Sequence, residues 1–314
     1  MRRRGGTAKA REGQHIIIGP WQHGMVFERK LGEIDFGPTA SNAGSGINEM
    51  QIAFFDRYVR GKTADVPRVK YFVMGPNEWR TAQAWPPTGM TRRRLYLRSG
   101  GKANSVRGDG RLSPAAPGQE QSDRFVYDPT RPVPTLGGAM IGGLPAVPGM
   151  HAGPVEQGPI EARNDVLVYT SAPFEAPAEI SGPITLRLFC STSAPDTDFT
   201  AKLTHVHPDG RSVNLCEGLL RMAGRTFKGV REPTRPGEVY DVVIGVGQTS
   251  LVVPKGHRLR LQVSSSNFPQ YDRNMNTGNK VGVDEKGIVA NQTIFHDGAR
   301  ASYLEIPTNA PRLV

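Results

Sequence analysis

The apolar positions divide the chain into two unequal parts. Residues 15–19, His-Ile-Ile-Ile-Gly, are a short β-branched run closed by Gly19-Pro20. That is the pattern of a fully buried strand of the kind found inside a parallel sheet. A loop, Trp21 to Ser45, follows. Ile47, Gln51, Phe54 or Phe55, and Tyr58 then recur at helical spacing, which predicts a helix from about Ile47 to Arg60, stopped by Gly61. Val69 to Met74 is a second strand-like run, ended by Gly75-Pro76-Asn77.

Beyond this point the period changes from helical to alternating. Arg94-Leu95-Tyr96-Leu97-Arg98 alternates polar and apolar, a Gly/Ser/Pro-rich loop runs from Ser99 to about Gln121, and residues 128–163 read as an ordered but irregular loop region. After Asn164 strand signals come at close intervals: Val166–Thr170, Ile184–Cys190, Phe199–Val206, Ser212–Leu219, Glu238–Val246, His257–Ser264, Ala290–Phe295 and Ala301–Ile306. Turns such as Pro208-Asp209-Gly210 and Pro236-Gly237 separate several of them. Short strands without intervening helices predict a mainly β fold, a double-sheet β-sandwich of jelly-roll type.

Composition supports this reading. Gly 37 and Pro 26 are spread as punctuation along the 314 residues, as many short elements joined by turns require. The net charge of +10 raises the question of nucleic acid, but the arginines cluster only at Arg2 to Arg4 and Arg92 to Arg94, without interleaved aromatics. A basic surface without a polyanion partner is therefore favoured. Cys190 and Cys216 offer neither a disulfide framework nor a CxxC metal motif. No apolar run approaches the ~20 residues of a membrane helix. The Met-Arg-Arg-Arg-Gly-Gly start lacks the apolar stretch of a signal peptide, so a cytoplasmic location is expected by default.

The most pointed chemistry lies in Ile16-Ile17-Ile18-Gly19-Pro20-Trp21-Gln22-His23-Gly24. A histidine just after a buried strand, on a Gly/Pro/Trp loop, stands where an α/β-hydrolase keeps its general base. With an ordinary pKa of about 6.5, it can take a serine proton and return it to the leaving group at neutral pH. On spacing alone, a loop histidine satisfied by a backbone carbonyl is the more frequent occurrence.

Other candidates are weaker. His205-Val206-His207 places two histidines on one face of a strand, but a metal site needs a third ligand, so a solvated strand end is favoured. Asp196 and Asp198 read as a capped turn more readily than as a calcium site. The Ser264 to Asn267 run has no base–acid pair beside it and reads as a turn. His257 and Arg258 to Arg260 read as an alternating strand with outward charges. No metal or cofactor is expected.

The histidine segment resembles the corresponding loop of the CocE/NonD serine hydrolases, relatives of the X-Pro dipeptidyl-peptidases. Further stretches are similar in order. They include Phe54-Phe55-Asp56-Arg57-Tyr58, Val69 to Gly75 with Glu78-Trp79-Arg80, Asp196-Thr197-Asp198-Phe199, Lys255 to Arg260, and Ser264 to Pro269. The resemblance covers essentially the whole chain. It implies that His23 is the triad histidine, that Trp21 lines the substrate site, and that the substrate is a small ester, amide or X-Pro peptide.

In that family a serine on a Gly-x-Ser-x-Gly turn and an aspartate precede the histidine. Here 22 residues precede His23 and none is serine or aspartate. Met1 falls inside the helix that follows the family's acidic residue, as a late start or a split reading frame would also give. The expected organisation is a C-terminal remnant of an α/β-hydrolase domain over residues 1–75, then the sandwich over 76–314. Such a chain supplies the base without the nucleophile, is inactive alone, and leaves the edges of strand 15–19 uncovered. Its partner is then an N-terminal hydrolase half or a second copy. The alternative is a non-catalytic jelly-roll module that binds carbohydrate or a partner protein.

Overall fold

A computed structural model of the chain describes residues 4–22, 28–139, 152–227 and 229–313. Four short helices are α1 (Ala8–Glu12), α2 (Asn42–Ser45), α3 (Ile47–Tyr58) and α4 (Gly158–Glu161). The first strands are β1 (Ile16–Ile18), the small hairpin β2 (Lys30–Leu31) and β3 (Ile34–Asp35), then β4 (Val69–Val73) and β5 (Glu78–Ala82). The sandwich holds β6 (Thr91–Arg98), β7 (Arg111–Ser113), β8 (Asp123–Tyr127), β9 (Leu167–Ser171), β10 (Ala178–Thr192) and β11 (Asp198–Val206). It is completed by β12 (Ser212–Arg221), β13 (Tyr240–Val253), β14 (Arg258–Ser264), β15 (Ala290–Phe295) and β16 (Tyr303–Thr308).

β1 pairs in parallel with β4, Ile16 opposite Val69 and Ile18 opposite Tyr71, and β5 continues the sheet antiparallel to β4. The buried β-branched run expected at 15–19 is thus a parallel strand, but at the edge. Ile16 is 44% exposed, and no described strand covers its free side. Because β5 reaches Ala82, the small sheet extends past the boundary expected at 75. His15 fastens this strand to the helix. Its Nδ1 lies 2.9 Å from the Pro67 carbonyl and its Nε2 2.8 Å from the Tyr58 hydroxyl.

α3 begins at Gly46, whose left-handed backbone (φ 66°) suits a residue without a Cβ. Its apolar positions recur as expected, yet none is fully buried. Ile52 is 62%, Phe55 57% and Val59, just beyond the helix, 74% exposed. Burial of such side chains contributes roughly 1.5–3 kcal/mol each, and in the described structure this face leaves that contribution unused.

The eleven sandwich strands form one hydrogen-bonded network folded over one core. β10 organises it. The strand pairs with β13 along one side and with β16 and then β15 along the other, and a bulge at Ile184/Thr185 bends it between them. Its alternation sends Leu186 and Leu188 inward to meet Leu203, Leu261 and Leu304 from three other strands. The small sheet is stitched to the sandwich through main chain. The Met74 N–H donates to the Ser250 carbonyl and the Val252 N–H donates to the Met74 carbonyl, both at 3.0 Å.

Two expectations need correction. The loop regions read at 99–121 and 128–163 contain β7 and α4 respectively, and β8 lies between them. And β14 does not turn its charges outward: Arg260 is buried, its Nε donates to Thr170 Oγ1 at 2.8 Å, and its guanidinium pairs with the buried carboxylate of Glu161 on α4. The cause is a second covering layer. Glu161 also accepts from Ser212 Oγ at 2.6 Å and Gln262 Nε2 at 3.1 Å, so the outer face of β14 is sealed by a satisfied polar cluster. No helix among the described residues is long and apolar enough to cross a membrane.

Candidate functional site

The loop that leaves β1 is held by two interlocked tryptophans. Trp21 Nε1 donates to the Ala40 carbonyl and Trp79 Nε1 to the Thr39 carbonyl, each at 2.7 Å, and the two rings pack with centroids 5.5 Å apart. The loop doubles back tightly over Gly19, where a Cβ would lie 2.6 Å from the Trp21 ring. Only glycine fits there without displacing that ring. Phe72 stands edge-on to Trp79 at 5.3 Å and to Phe36 at 6.1 Å, which completes an aromatic wall under the loop. His23 lies outside the described residues, as does the segment 140–151.

Trp21, Phe36 and Met74 form one wall of a cavity of about 610 Å³, and Asn214, Glu217 and Gln248 of the sandwich form the opposite wall. This volume is within the range of small-molecule sites, about 300–1,000 Å³. Glu217 is its buried anion. It faces Lys202 Nζ at 3.2 Å with both side chains 8% exposed.

Three histidines line the same cavity: His205 at the end of β11, His207 in the turn that follows, and His257 just before β14. The third ligand that the sequence did not reveal comes from the register. β11 and β14 pair antiparallel with His205 opposite Leu259 and Val206 opposite Arg258, so His257 falls beside His207 on the shared face. Burial, then the neighbouring His207 and His257, push the His205 pKa down to about 3, and burial also lowers that of His257.

The other aspartates are structural. Asp198 is paired bidentately with Arg221 (2.8 and 2.7 Å), and Asp196 accepts the Ala223 N–H at 2.8 Å while facing Arg231 at 3.2 Å. Ser264 and Thr200 share a hydrogen bond at 2.6 Å, and Ser266 Oγ accepts the Val133 N–H at 2.8 Å. This is the turn-shaping role expected of that run.

Sequence reasoning missed a second polar cluster, Ser99, Asp123 and His296. Ser99 Oγ donates to Asp123 Oδ2 at 2.8 Å, and His296 Nε2 lies 2.9 Å from the same oxygen. These are the residue types of a nucleophilic triad in the wrong order. The hydroxyl bonds the carboxylate directly, and all three groups are buried inside the sandwich. Burial opposes the Asp123 charge. Hydrogen bonds from His296, the Ala103 N–H, Tyr169 and Ser99 outweigh it and hold the carboxyl below its ordinary range. Burial likewise opposes an imidazolium at His296, but Asp123 and Glu120 outweigh it and raise its pKa.

The raised His296 contributes stability that is fully present below the unfolded pKa of about 6.5 and is lost as pH rises through the folded pKa. Asp123 acts oppositely, present above about 3.9 and lost as pH falls through its lowered folded pKa. Thermal melts should therefore show Tm falling from about pH 6.5 upward, more steeply in the wild type than in His296→Gln. Equal slopes in the two proteins would contradict the assignment.

With this geometry in place, the chain can be set beside known proteins. Residues 61–305 match the X-Pro dipeptidyl-peptidase C-terminal non-catalytic domain. The chain belongs to that family. It is 44% identical over 271 residues to the cocaine esterase of Rhodococcus sp. (strain MB1 Bresler), a match covering 84% of this chain and 45% of the esterase. Its fold superposes on an aminopeptidase from the marine sediment archaeon Thaumarchaeota archaeon with TM-score 0.81 and 29% identity, covering 95% of this chain and 50% of that one. An α-amino acid ester hydrolase gives TM-score 0.79 at 27% identity, covering 94% and 50%. The chain thus spans about half the length of these relatives, and the resemblance to CocE/NonD hydrolases drawn from the histidine loop is borne out for their C-terminal portion.

Proposed function

We propose that this chain forms the C-terminal part of a serine hydrolase acting on ester or amide substrates, with His23 as its general base and Trp21 on the substrate wall. In such a site a serine hydroxyl attacks the acyl carbonyl while the histidine takes its proton and returns it to the leaving group. Water then hydrolyses the acyl-enzyme. The observation that carries the reading is that the loop leaving β1, through Trp21, walls a ligand-sized cavity that the family's C-terminal domain closes from the other side.

The nucleophile and acid come from the remainder of the hydrolase, in the same polypeptide or in another. The edge of β1 and the exposed row Ile52, Phe55 and Val59 favour the place where that remainder docks. A cytoplasmic location belongs to the same proposal, and the free thiols of Cys190 and Cys216 suit a reducing compartment. The test is turnover of p-nitrophenyl acetate by the purified 314-residue chain. We expect no rate above the imidazole background and no change in His23→Ala. Fast hydrolysis that disappears in His23→Ala would overturn the proposed division of the site.

A further inference from the structure

We propose that His205, His207 and His257 together bind a divalent transition-metal ion of the zinc class on the wall of the cavity. Each ring offers one nitrogen, and the three donor atoms lie within 4.8 Å of one another. The ring centroids form a nearly equilateral triangle with sides of 4.7, 4.8 and 4.9 Å. Among the described residues, the only hydrogen bond to any of these rings joins two of them, His257 Nδ1 and His205 Nε2, at 2.9 Å. No carboxylate or backbone carbonyl consumes the remaining ring nitrogens, which distinguishes this cluster from the satisfied His296.

The chemistry fits a borderline-soft cation. Imidazole nitrogens suit zinc, copper and nickel, and a tetrahedral zinc ion takes three protein ligands while leaving a fourth position open. All three rings line the cavity, so the open position has space for water or a ligand. Metal–nitrogen bonds of about 2.0–2.1 Å imply nitrogen separations of about 3.3 Å, so the His205–His257 pair has to open by only a few tenths of an ångström.

The proton shared by His257 Nδ1 and His205 Nε2 must move to the other nitrogen of its own ring when both atoms bind the metal. Coordination by both atoms therefore exchanges the tautomer of the ring that carries this proton. Bound metal would pin the β11–β12 turn to the β13–β14 turn across the cavity wall. The inference does not depend on the hydrolase reading, because its readout is binding and not turnover.

The experiment is a titration of the metal-stripped, untagged 314-residue chain with Zn2+ by calorimetry, together with 15N NMR of the imidazoles. We expect one equivalent bound, a rise in Tm, and shifted ring nitrogens at three of the seven histidines. His207→Ala and His257→Ala should each weaken binding by about 100-fold, at the upper end of what losing even an outer-shell partner costs. Absence of saturable binding overturns the proposal. So do folded variants that bind as the wild type does, or NMR shifts at other histidines. If either variant fails to fold, the wild-type NMR pattern decides alone.

Discussion

Replacing Asp123 by alanine should destabilise the chain by about 3–5 kcal/mol, the range for removing one member of a buried ion pair. The carboxylate has no solvent exposure and serves four donors. Oδ1 accepts the Ala103 N–H at 2.8 Å, while Oδ2 meets Ser99 Oγ at 2.8 Å, Tyr169 hydroxyl at 2.7 Å and His296 Nε2 at 2.9 Å. Alanine removes the acceptor that all four share and leaves His296 without its closest counter-charge, with only the 3.2 Å contact between Ser99 Oγ and His296 Nε2 remaining among them. Since domains of this kind are stable by only about 5–15 kcal/mol, this is a large fraction of the total. Asp123→Asn keeps the shape and one acceptor oxygen, and should cost less, about 1.5–3 kcal/mol, as loss of hydrogen bonds to a charged group does. Urea denaturation measures both. A loss under about 1 kcal/mol in Asp123→Ala would mean that the network is packing filler.

The same residue explains why part of the fold was hidden in the sequence. β8 reads Asp-Arg-Phe-Val-Tyr, and its burial alternates faithfully, with Asp123, Phe125 and Tyr127 inward. An ionisable residue at an inward position masks the period, because the hydrogen bonds that satisfy it come from residues far along the chain. β14 was misread for the same reason. Arg260 looks like a solvent-facing charge until Glu161, 99 residues away, is seen covering it. Strands whose inward positions are hydrocarbon over the stretch read from the sequence, such as β10 with Ile184, Leu186 and Leu188 and β11 with Phe199, Ala201 and Leu203, stood where their alternation put them.

The candidate site divides similarly. The strand before the histidine loop was legible because β-branched runs and Gly-Pro punctuation are local signals. The opposite wall of the cavity was not. Glu217 and Gln248 are carried there by strand pairings that no local window reports. His205 and His207 were visible as a same-face pair, but their third member depends on the antiparallel register of β11 with β14. The family resemblance, by contrast, rested on long ordered stretches and needed no packing information.

The largest effect expected of any substitution is in catalysis, and it requires the whole site. On the proposed division of the site, a chimera in which this chain replaces the matching C-terminal portion of the Rhodococcus cocaine esterase should bring His23 together with the missing nucleophile and acid. The relation of 44% identity over 271 residues favours a folded hybrid. In hydrolases whose triad acts as a unit, loss of the histidine alone costs about as much as loss of all three members, up to about 10⁶-fold in kcat. The decisive measurement is therefore p-nitrophenyl acetate turnover by this chimera and by its His23→Ala variant. The account predicts an active chimera whose rate falls by at least about 10⁴-fold in the variant, with an unchanged Tm. A folded chimera that is inactive, or one that keeps its rate without His23, would contradict it.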